Sequence, residues 1–472
     1  MPVPKDILSI ERPKNTRVKP SGNHYLVIKR TCKRINGRNV PVELGVIGEI
    51  RDGRYIEYSH APVKREIDIK DYGEVALCDK LGKDLLNDLL KIWTPKEATC
   101  LYTIALLRSA YGDIKNRDLQ LQYDTSFASE LYKDMHLSED TVSNFLDSIG
   151  KSYSLIRRFM QNRIDASKGK KIVIDGMLKD YNSKKSTFSE FSRKGAKKGS
   201  KDISLLYAFD PEKLEPIATK PYVGNMLDMT SIDDFVDDYK ITNGIMVFDK
   251  GFPSKAFLDK VEKEKNLSYI APLKTNSKLV KRYGMDEPDT PLDGYEDGII
   301  LCKKAKMGNG KFLYSFRDPQ MAMEQEVGYI AKAKKMGHFN MEKYNEKKSE
   351  FGLIVFESRT DMKPLIVYRA YAQRWDIEVF FDFYKNIIDR NCENVHNDYR
   401  VYATELINFL SAIISSRVKK EFSRLGLYKY NSHKQLMRYL SKYKMVRNGE
   451  DGKWKSCKVL AYIENINSLL GI

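Results

Sequence analysis

The chain has few of the residue patterns that build metal clusters, disulfide frameworks or membrane spans. Its six cysteines lie far apart and form no Cys-x2-Cys pair, which argues against a structural zinc site and a disulfide framework. No apolar run is long enough to span a bilayer, and the N-terminus lacks the apolar segment of a signal peptide. We therefore expect a soluble protein of the reducing cytoplasm that makes no membrane contact.

The charge balance is strongly basic. The 472 residues include 81 Lys and Arg against 64 Asp and Glu, which gives a formal net charge of +17. An excess of this size favours a polyanionic partner, most often nucleic acid, although a basic surface can also serve solubility alone. The length predicts about three domains and provides enough chain for a substantial core.

Residues 1–82 are predicted to form an arm and a small β-sheet module. Residues 1–20 are rich in Pro and Lys, and 24–60 contain three strand-like runs separated by the dipeptides Asn-Gly and Asp-Gly, which favour tight hairpin turns. Basic residues lie on the first of these strands: Lys29, Arg30, Lys33 and Arg34. The pattern fits both a DNA-binding sheet and a solvated platform.

Residues 83–168 are predicted to be helical. Helix-like segments precede Ser138, which is a favourable N-cap because Glu139 and Asp140 follow in the first turn. A short helix, a tight turn and a capped second helix are typical of a helix-turn-helix DNA-binding domain. Any small helical bundle gives the same pattern, so both interpretations stay open.

Two aspartates follow strand-like runs in the third section, which begins at Gly169. Asp175 ends the β-branched run IVID, and Asp249 ends the run IMVFD. A single Asp after a strand is usually a turn former. Two of them at the ends of buried strands, combined with a carboxylate on a helix, can instead make a two-metal site.

The candidate helix-borne carboxylate is Glu378, in the segment YAQRWDIEVFFDFYK. This segment contains no Gly or Pro and predicts one helix from Tyr371 to Lys385. With Arg374 at 0° on a helical wheel, Lys385, Glu378 and Tyr371 lie at roughly 20°, 40° and 60°. The bulky apolar residues lie mostly on the far side, and Phe381 is an exception. The simpler interpretation is an amphipathic surface helix with an Arg374–Glu378 ion pair.

The remaining sections show coarser patterns. Residues 272–350 hold several strand-like pieces and a Lys-rich helical stretch, and are predicted to be a β-rich insertion in a third domain that covers 169–397. Residues 398–472 are predicted to form a helical C-terminal region. A basic run at 192–201 is either a solvated loop or a loop that contacts phosphates. Its candidate phosphate-binding residues are Arg193, Lys197, Lys198 and Lys201.

These motifs resemble those of a known family. The pattern Tyr-x2-Arg-x3-Glu-x6-Lys resembles the signature of DDE transposases of the insertion-sequence-four type, and it is formed here by Tyr371, Arg374, Glu378 and Lys385. The segments IVIDGM around Asp175 and VFDKGFPSKAFL around Asp249 resemble the two aspartate motifs of that family. The blocks GSKD and GNMLD resemble short blocks of its subgroup with long β insertions. The resemblance covers about residues 165–420.

The resemblance implies a fold and a metal site. The fold is an α/β catalytic core of the RNase H-like type, with a mixed central sheet flanked by helices and interrupted by the insertion. The site holds two divalent ions, Mg²⁺ with Mn²⁺ as a substitute, bound by Asp175, Asp249 and Glu378. Carboxylate oxygens are the hard ligands that Mg²⁺ prefers, and two such ions can serve the attacking and leaving oxygens of a phosphoryl transfer.

The resemblance also gives roles to neighbouring residues. Arg374 and Lys385 would hold phosphates beside the metal ions, Arg374 through its forked guanidinium, and Tyr371 would donate to a phosphate oxygen. In related enzymes an aromatic residue of the insertion stacks on a flipped base. The candidates for that role are Tyr314, Phe316 and Tyr329, and core packing is the alternative for each.

The implied activity is that of a cut-and-paste DNA transposase. It would act on double-stranded DNA, as a homodimer on paired element ends, in association with a prokaryotic nucleoid. Cleavage through a DNA hairpin is implied by the relatives that share the helix motif. Two other functions stay open. A structure-specific nuclease would share the carboxylates without needing the Tyr-Arg-Lys face, and a domesticated relative would bind DNA without cutting it.

Overall fold

The structure is a computed structural model of the chain and describes most of its residues. Outside the description lie residues 1–2, 36–37, 59–66, 113, 168–170, 182, 192–198, 227, 249–253, 387–394, 396 and 449–451. At residues 33, 35, 38, 228–229, 255, 374–376, 386 and 448, the backbone is described without the side chain. The chain divides into two compact units, the first formed by 1–69 with 446–455 and the second by 70–445 with 456–472.

The first unit is built on a four-stranded antiparallel sheet in the order β1-β2-β3-β4. Its elements are α1 (Lys5–Ser9), β1 (Thr16–Ser21), β2 (His24–Ile35), β3 (Arg38–Arg51) and β4 (Arg54–Glu57). The three strands predicted over 24–60 are confirmed. The prediction that 1–20 forms only an arm is wrong, because β1 adds an edge strand that buries Val18. Pro20 suits this edge position, since a proline has no backbone N–H to offer a further strand.

The turn between β3 and β4 has the predicted hairpin geometry. Asp52 and Gly53 have φ angles of 50° and 71°, and two positive φ values in succession are typical of a type I′ turn. The other predicted turn, Asn36-Gly37, lies outside the described residues. The chain passes between the two units within β5 (Ile67–Asp71), β16 (Lys444–Asn448) and β17 (Trp454–Ser456).

The second unit begins with a run of helices. They are α2 (Gly73–Leu90), α3 (Pro95–Tyr111), α4 (Leu119–Thr125), α5 (Ala128–Leu131), α6 (Glu139–Lys151) and α7 (Tyr153–Asp165). The predicted cap of α6 is confirmed, because the Ser138 side chain accepts from the backbone N–H of Thr141. The helix-like sequence just before Ser138 (126–137) is helical only in part. Helix α5 ends at Leu131, and Asp134 has a φ of 61°, which a continuing helix does not allow.

The described residues of the second unit form a ten-stranded mixed sheet. Its strands are β6 (Lys171–Asp180), β7 (Glu190–Phe191), β8 (Lys201–Asp210), β9 (Glu215–Val223), β10 (Asn243–Val247), β11 (Asn266–Leu273), β12 (Thr290–Pro291), β13 (Leu301–Lys306), β14 (Phe312–Arg317) and β15 (Leu353–Ser358). The order is β12-β13-β14-β15-β11-β10-β6-β8-β7, and β9 also pairs with β8. β10 runs parallel to β6 and to β11, whereas the other pairs are antiparallel. A mixed sheet with flanking helices fits an RNase H-like core.

The helices that accompany this sheet follow its strands along the chain. They are α8 (Asp228–Asp238), α9 (Lys255–Val261), α10 (Lys278–Arg282), α11 (Pro319–Lys335), α12 (Met341–Lys348), α13 (Pro364–Ala372), α14 (Arg374–Asn386), α15 (Asp398–Arg424), α16 (His433–Leu440) and α17 (Ala461–Leu470). Within the described residues, no helix combines the length and apolar character needed to cross a membrane.

The interval 272–350 differs from the predicted β-rich insertion. Its strands β12, β13 and β14 extend the central sheet, but α10, α11 and α12 give the interval more helical than strand residues. The Lys-rich stretch explains this result, since residues such as those of MEKYNEKK have high helix propensity. The interval is therefore mixed.

The packing does not separate the three segments predicted as domains over 83–168, 169–397 and 398–472. One hydrophobic core contains buried residues of all three, including Leu106 of α3, Ile174 of β6 and Leu410 of α15. The sequence periodicity predicts each helix, but it does not report which helices share a core. Apart from 446–455, which belong to the first unit, the three segments pack as one unit.

Candidate active site

Asp175 lies in the middle of β6 and is 7% exposed. Its carboxylate Oδ1 accepts a hydrogen bond from the backbone N–H of Gly176 at 2.8 Å. The prediction that the strand ends at Asp175 is wrong, because β8 pairs with β6 as far as Asp180↔Asp202. Pairing with a distant strand thus extends β6 through Gly176, where the local sequence indicates a turn.

The parallel neighbour of β6 is shorter. Within the described residues, the pairing of β10 with β6 ends at Val247↔Val173, so Asp175 follows the last paired residue by two positions. Asp249, the second predicted carboxylate, lies outside the described residues. In the sequence it follows Val247 by two positions, as Asp175 follows Val173. In the sequence, each aspartate therefore stands two positions beyond the Val247↔Val173 pair.

Tyr207 of β8 connects Asp175 to the helix that carries Glu378. Tyr207 is the cross-strand partner of Asp175, and opposite residues of an antiparallel pair project to the same face of a sheet. The Tyr207 ring packs against Phe380 and Phe381 of α14, with ring centroids 5.6 Å apart in both pairs. Helix α14 therefore packs on the sheet face that carries Asp175.

The buried stripe of α14 sets the position of Glu378. Ile377, Phe380, Phe381 and Tyr384 are all buried and recur at the spacing of one helix face. Phe381 is a core residue, although the helical wheel makes it an exception to the apolar face. Glu378 is half-buried and precedes Phe381 by three residues, so it lies at one border of the stripe.

The predicted single helix from Tyr371 to Lys385 is wrong, because it breaks at Gln373 into α13 and α14. The Gln373 side chain accepts a hydrogen bond from Lys171 Nζ at 3.4 Å, which ties the break to the start of β6. Tyr371 lies on α13, and its ring packs against Phe356 with the ring centroids 4.5 Å apart. Tyr371 thus belongs to a different helix from the other three residues of the predicted motif.

Lys385 lies at the same border of α14 as Glu378 and close to acidic groups. Burial lowers the pKa of the Lys385 ammonium, while the carboxylates of Asp202 and Asp382 act to raise it. Asp202 is 3% exposed, and this burial raises the pKa of its carboxyl. Asp180, the cross-strand partner of Asp202, raises the same pKa further, whereas Lys385 acts to lower it. The sequence analysis did not single out Asp180 or Asp202, although the GSKD block contains Asp202.

A buried ion pair supports the strand that carries Asp175. Lys179 Nζ lies 2.7 Å from Glu405 Oε1 of α15, and both side chains are 1% exposed. Asn408 donates to Glu405 Oε1 at 3.1 Å, and Arg108 of α3 donates to Asn408 Oδ1 at 3.0 Å. This network joins β6, α15 and α3. The sequence gives no signal for it, because Lys179 and Glu405 are 226 positions apart.

Of the predicted phosphate-binding residues in the basic run, only Lys201 lies within the described part of the chain. Lys201, the first residue of β8, donates to the carbonyl of Ser189 at 3.3 Å, and its ammonium lies 5.4 Å from the ring centroid of Phe191. Arg193, Lys197 and Lys198 lie outside the described residues, as does the side chain of Arg374.

The aromatic candidates for base stacking all have packing partners. Tyr314 and Phe316 of β14 are 0% and 1% exposed and belong to the main core. Tyr329 of α11 packs against Tyr344 and Phe351, with centroids 6.5 Å and 5.7 Å away. Core packing therefore accounts for the positions of Tyr314 and Phe316, and packing between α11 and α12 accounts for Tyr329.

The donor set fits a divalent cation. Asp175 and Glu378 supply carboxylate oxygens, which are the ligands that Mg²⁺ prefers. Among the described residues, no three His, Cys, Asp or Glu side chains come together as a metal site. The third predicted ligand, Asp249, lies outside that part of the chain. The described residues thus provide two of the three carboxylates that the family resemblance implies.

Comparison with known proteins addresses the same region. Residues 166–400 match the family model described as a transposase DDE domain, and this interval contains Asp175, Asp249 and Glu378. No curated protein matches the chain.

Two solved structures show weak likeness. The piggyBac transposase synaptic complex with hairpin DNA has 12% identity, coverage of 78% of this chain and 79% of that chain, and a TM-score of 0.39. The Mos1 transposase paired-end complex with the left transposon end has 14% identity, coverage of 33% and 58%, and a TM-score of 0.15. Neither likeness carries an argument at these TM-scores. The match over residues 166–400 supports a transposase DDE domain in this chain.

Proposed function

We propose that this chain is a DNA transposase that cuts phosphodiester bonds at the ends of a mobile element and joins the freed 3′-hydroxyl to target DNA. The observation that carries the proposal is the packing of α14 on the sheet face of Asp175. This packing brings the helix that bears Glu378 onto the strand that bears Asp175, inside the interval that matches the DDE domain.

Asp175, Asp249 and Glu378 are the residues that would hold two Mg²⁺ or Mn²⁺ ions. Ions bound there would stabilise the charge that develops on the attacking and leaving oxygens of the phosphodiester. The protein contributes a fixed frame for these ligands. The aromatic contacts of Tyr207 fix α14 on the sheet, and the hydrogen bond from Gly176 orients the Asp175 carboxylate.

Cationic residues at the border of α14 would hold the DNA backbone. Lys385 is half-buried and lies two helical turns after Glu378 on the same border, so its ammonium would serve as a point charge for a phosphate that approaches the carboxylates. We assign the same role to Arg374, through its planar fork, and to Arg193, Lys197 and Lys198. Lys201 and Tyr371 would have to leave their present packing partners to take part.

The assembly and the pathway are part of the same proposal. Cut-and-paste transfer cuts two element ends and joins each of them to target DNA, so we propose a homodimer in which each protomer acts on one end. The Tyr-x2-Arg-x3-Glu-x6-Lys pattern supports a hairpin intermediate, in which the freed 3′-hydroxyl attacks the opposite strand of the same DNA.

Cleavage and joining assays test this function. The substrate is duplex DNA that carries the ends flanking this gene, and the variants are Asp175→Asn and Glu378→Gln. Glu342→Gln on exposed α12 is the matched control. We expect the two site variants to lose at least about 100-fold in Mg²⁺-dependent cleavage, since each removes a metal ligand. Mg²⁺ should raise the melting temperature of the wild type and of the control more than that of either variant.

The products separate the competing functions. Cut ends joined to a second DNA support a transposase, and a hairpin product supports the proposed intermediate. Cutting without joining would favour a structure-specific nuclease. Binding without cutting would favour a DNA-binding relative that has lost catalysis. Full cleavage by Glu378→Gln would remove Glu378 from the site.

A further inference from the structure

The sheet of the first unit narrows to two strands at one end. β1 pairs with β2 only as far as Thr16↔Lys29, and β4 pairs with β3 from Gly48 to Arg51. Beyond Lys29, the register continues between β2 and β3 alone, from Arg30↔Glu43 to the last pair before the turn. We call the paired residues 30–35 of β2 and 38–43 of β3 the β2–β3 ribbon. Within the described residues, this ribbon has no third strand.

The ribbon begins at a distortion of the sheet. The register of β2 with β3 shifts between Val27 and Ile28 and again between Lys29 and Arg30. Gly45, opposite Lys29, has a φ of 134°. Such β-bulges bend a strand and increase its twist. The second shift falls where the pairing with β1 ends, so the ribbon leaves the sheet at a built-in bend.

The ribbon has no core of its own. The buried apolar residues of the first unit are Val18, Val27, Ile28 and Ile50, and all four lie outside the ribbon. None of the described ribbon side chains is buried, and Val40 is 39% exposed. A two-stranded hairpin is marginally stable by itself in water. The ribbon is therefore presented to solvent and adds little to the stability of the sheet.

The ribbon is strongly basic. Its sequence contains Arg30, Lys33, Arg34 and Arg38 against one acidic residue, Glu43. Glu43 is itself paired, because Arg17 Nη1 donates to its Oε1 at 3.0 Å. By strand register, Arg30 and Arg34 share one face of the ribbon, and positions 33 and 38 share the other. Both faces therefore hold positions that are basic in the sequence.

The same features disfavour pairing with another copy of the ribbon. Pro41 lies opposite Cys32 and has no backbone N–H for a further strand. Charged side chains and a proline on an exposed strand are typical protection against edge-to-edge pairing. A polyanion fits the ribbon better than a second β-sheet.

We propose that the β2–β3 ribbon is a DNA-binding element that enters a groove of duplex DNA. A two-stranded ribbon matches the width of the major groove, whose two walls are phosphate backbones. Basic positions on both faces can then contact both walls, while the residues between them meet the base edges. The proposal rests on the proposed function, which supplies duplex DNA as the partner.

Titration against salt tests the ribbon. The probe is a fluorescent duplex of mixed sequence, followed by anisotropy with the full chain. The test variant replaces Arg30, Lys33, Arg34 and Arg38 with Gln. The control removes the same charge from exposed positions of α11 and α12, by replacing Lys334, Lys335, Lys343 and Lys348 with Gln.

We expect the ribbon variant to lose at least about tenfold in affinity near physiological salt. Its log–log salt slope should fall in magnitude by about 0.9 for each phosphate contact removed. The control should stay within about threefold of the wild type, because net charge alone contributes only a general attraction. Equal losses in both variants, or wild-type binding by the ribbon variant, would overturn the proposal.

Two further measurements separate the possible failures. A wild type that binds no duplex at any salt concentration would overturn the proposed function itself. A wild type that binds and cuts, with a ribbon variant that binds equally well, would overturn only the role of the ribbon. Sedimentation without DNA identifies the alternative: a change of oligomeric state in a ribbon variant that binds DNA normally would make the ribbon a protein–protein contact.

Discussion

The two compact units differ most in how much apolar side chain they bury. The first unit has a small apolar cluster of three buried residues, Val18, Val27 and Ile50. The core of the second unit is continuous from Val75 in α2 to Leu470 in α17. Since burying one such side chain contributes about 1.5–3 kcal/mol, the first unit has a small reserve of stability against the entropy of an ordered sheet.

This difference matches the tasks proposed for the two units. Carboxylates that hold metal ions need fixed positions, and the second unit provides them through a large core and a buried Lys179–Glu405 pair. A ribbon that enters a DNA groove needs exposed charge and freedom to adapt, which a thin sheet provides. Substitutions that destabilise one unit and leave the stability of the other unchanged can test this comparison.

The largest effect is expected from Gly150→Ala, in the second unit. A Cβ at Gly150 of α6 would lie 1.7 Å from the backbone oxygen of Tyr399 at the start of α15. Because the Tyr399 backbone oxygen cannot move away by a side-chain rotation, α6 and α15 would have to separate. We expect a loss of about 4–5 kcal/mol in the free energy of unfolding, measured with urea and circular dichroism.

Gly328→Ala is the matched control for that substitution. A Cβ at Gly328 of α11 meets no atom within 4 Å, so the change should stabilise the helix by about 0.5–1 kcal/mol. Hydrogen exchange should rise in α6 and α15 of Gly150→Ala and stay unchanged in β1 to β4. A parallel rise in those strands would show that the two units unfold together.

The next largest effect is expected from breaking the buried ion pair. Lys179→Met leaves the Glu405 carboxylate without its cation in a 1% exposed position, and we expect it to lower the free energy of unfolding by about 3–4 kcal/mol. Lys179→Met combined with Glu405→Leu should recover part of this loss, since no unpaired charge remains. A double variant that is less stable than Lys179→Met would contradict this account.

The sequence predicts those parts of the fold that local patterns determine. Strands β2, β3 and β4 and the Ser138 cap follow from strand-like runs, turn dipeptides and capping chemistry, and the structure confirms them. β1 was missed because its only buried residue is Val18, which gives too weak an alternation. The helix break at Gln373 is not predicted, because the sequence there contains no Gly or Pro.

The candidate site shows the same limit. A strand ending at Asp175 is a sound local expectation, but pairing with β8 overrides it. The placement of Glu378 depends on Tyr207, which no motif singles out, and on a wider apolar face that includes Phe381. Sequence spacing identifies candidate ligands, whereas their convergence depends on packing between distant segments.

A pH-dependent effect is expected at Glu74 in the second unit. Burial, and then the neighbouring Asp71, raise the pKa of the Glu74 carboxyl to about 8. The folded state therefore holds a proton that the unfolded chain releases near its ordinary pKa, so stability present below about pH 4.5 is lost as the pH rises towards 8.

Glu74→Gln should abolish this loss. We expect the variant to match the wild type at pH 4.5 and to exceed it by about 2 kcal/mol above pH 8, measured by urea unfolding across this range. This difference in unfolding free energy is smaller than the raised pKa alone implies, because Glu74 lies in the first turn of α2, where the helix favours a negative charge. An equal difference at every pH would show that Glu74 is ionised in the folded protein.

The smallest effect on overall stability is expected from Val27→Ala, in the first unit. Val27 is 0% exposed and is one of the three residues of that core, so its truncation should cost about 2 kcal/mol locally. Because this unit has little reserve, the loss should appear as faster hydrogen exchange throughout β1 to β4 and as weaker DNA binding. Urea unfolding of the second unit and exchange in α15 should stay as in the wild type.

Val40→Ala, on the exposed ribbon, is the control and should change neither hydrogen exchange nor stability. A loss of DNA binding in both variants would place Val40 at the DNA contact.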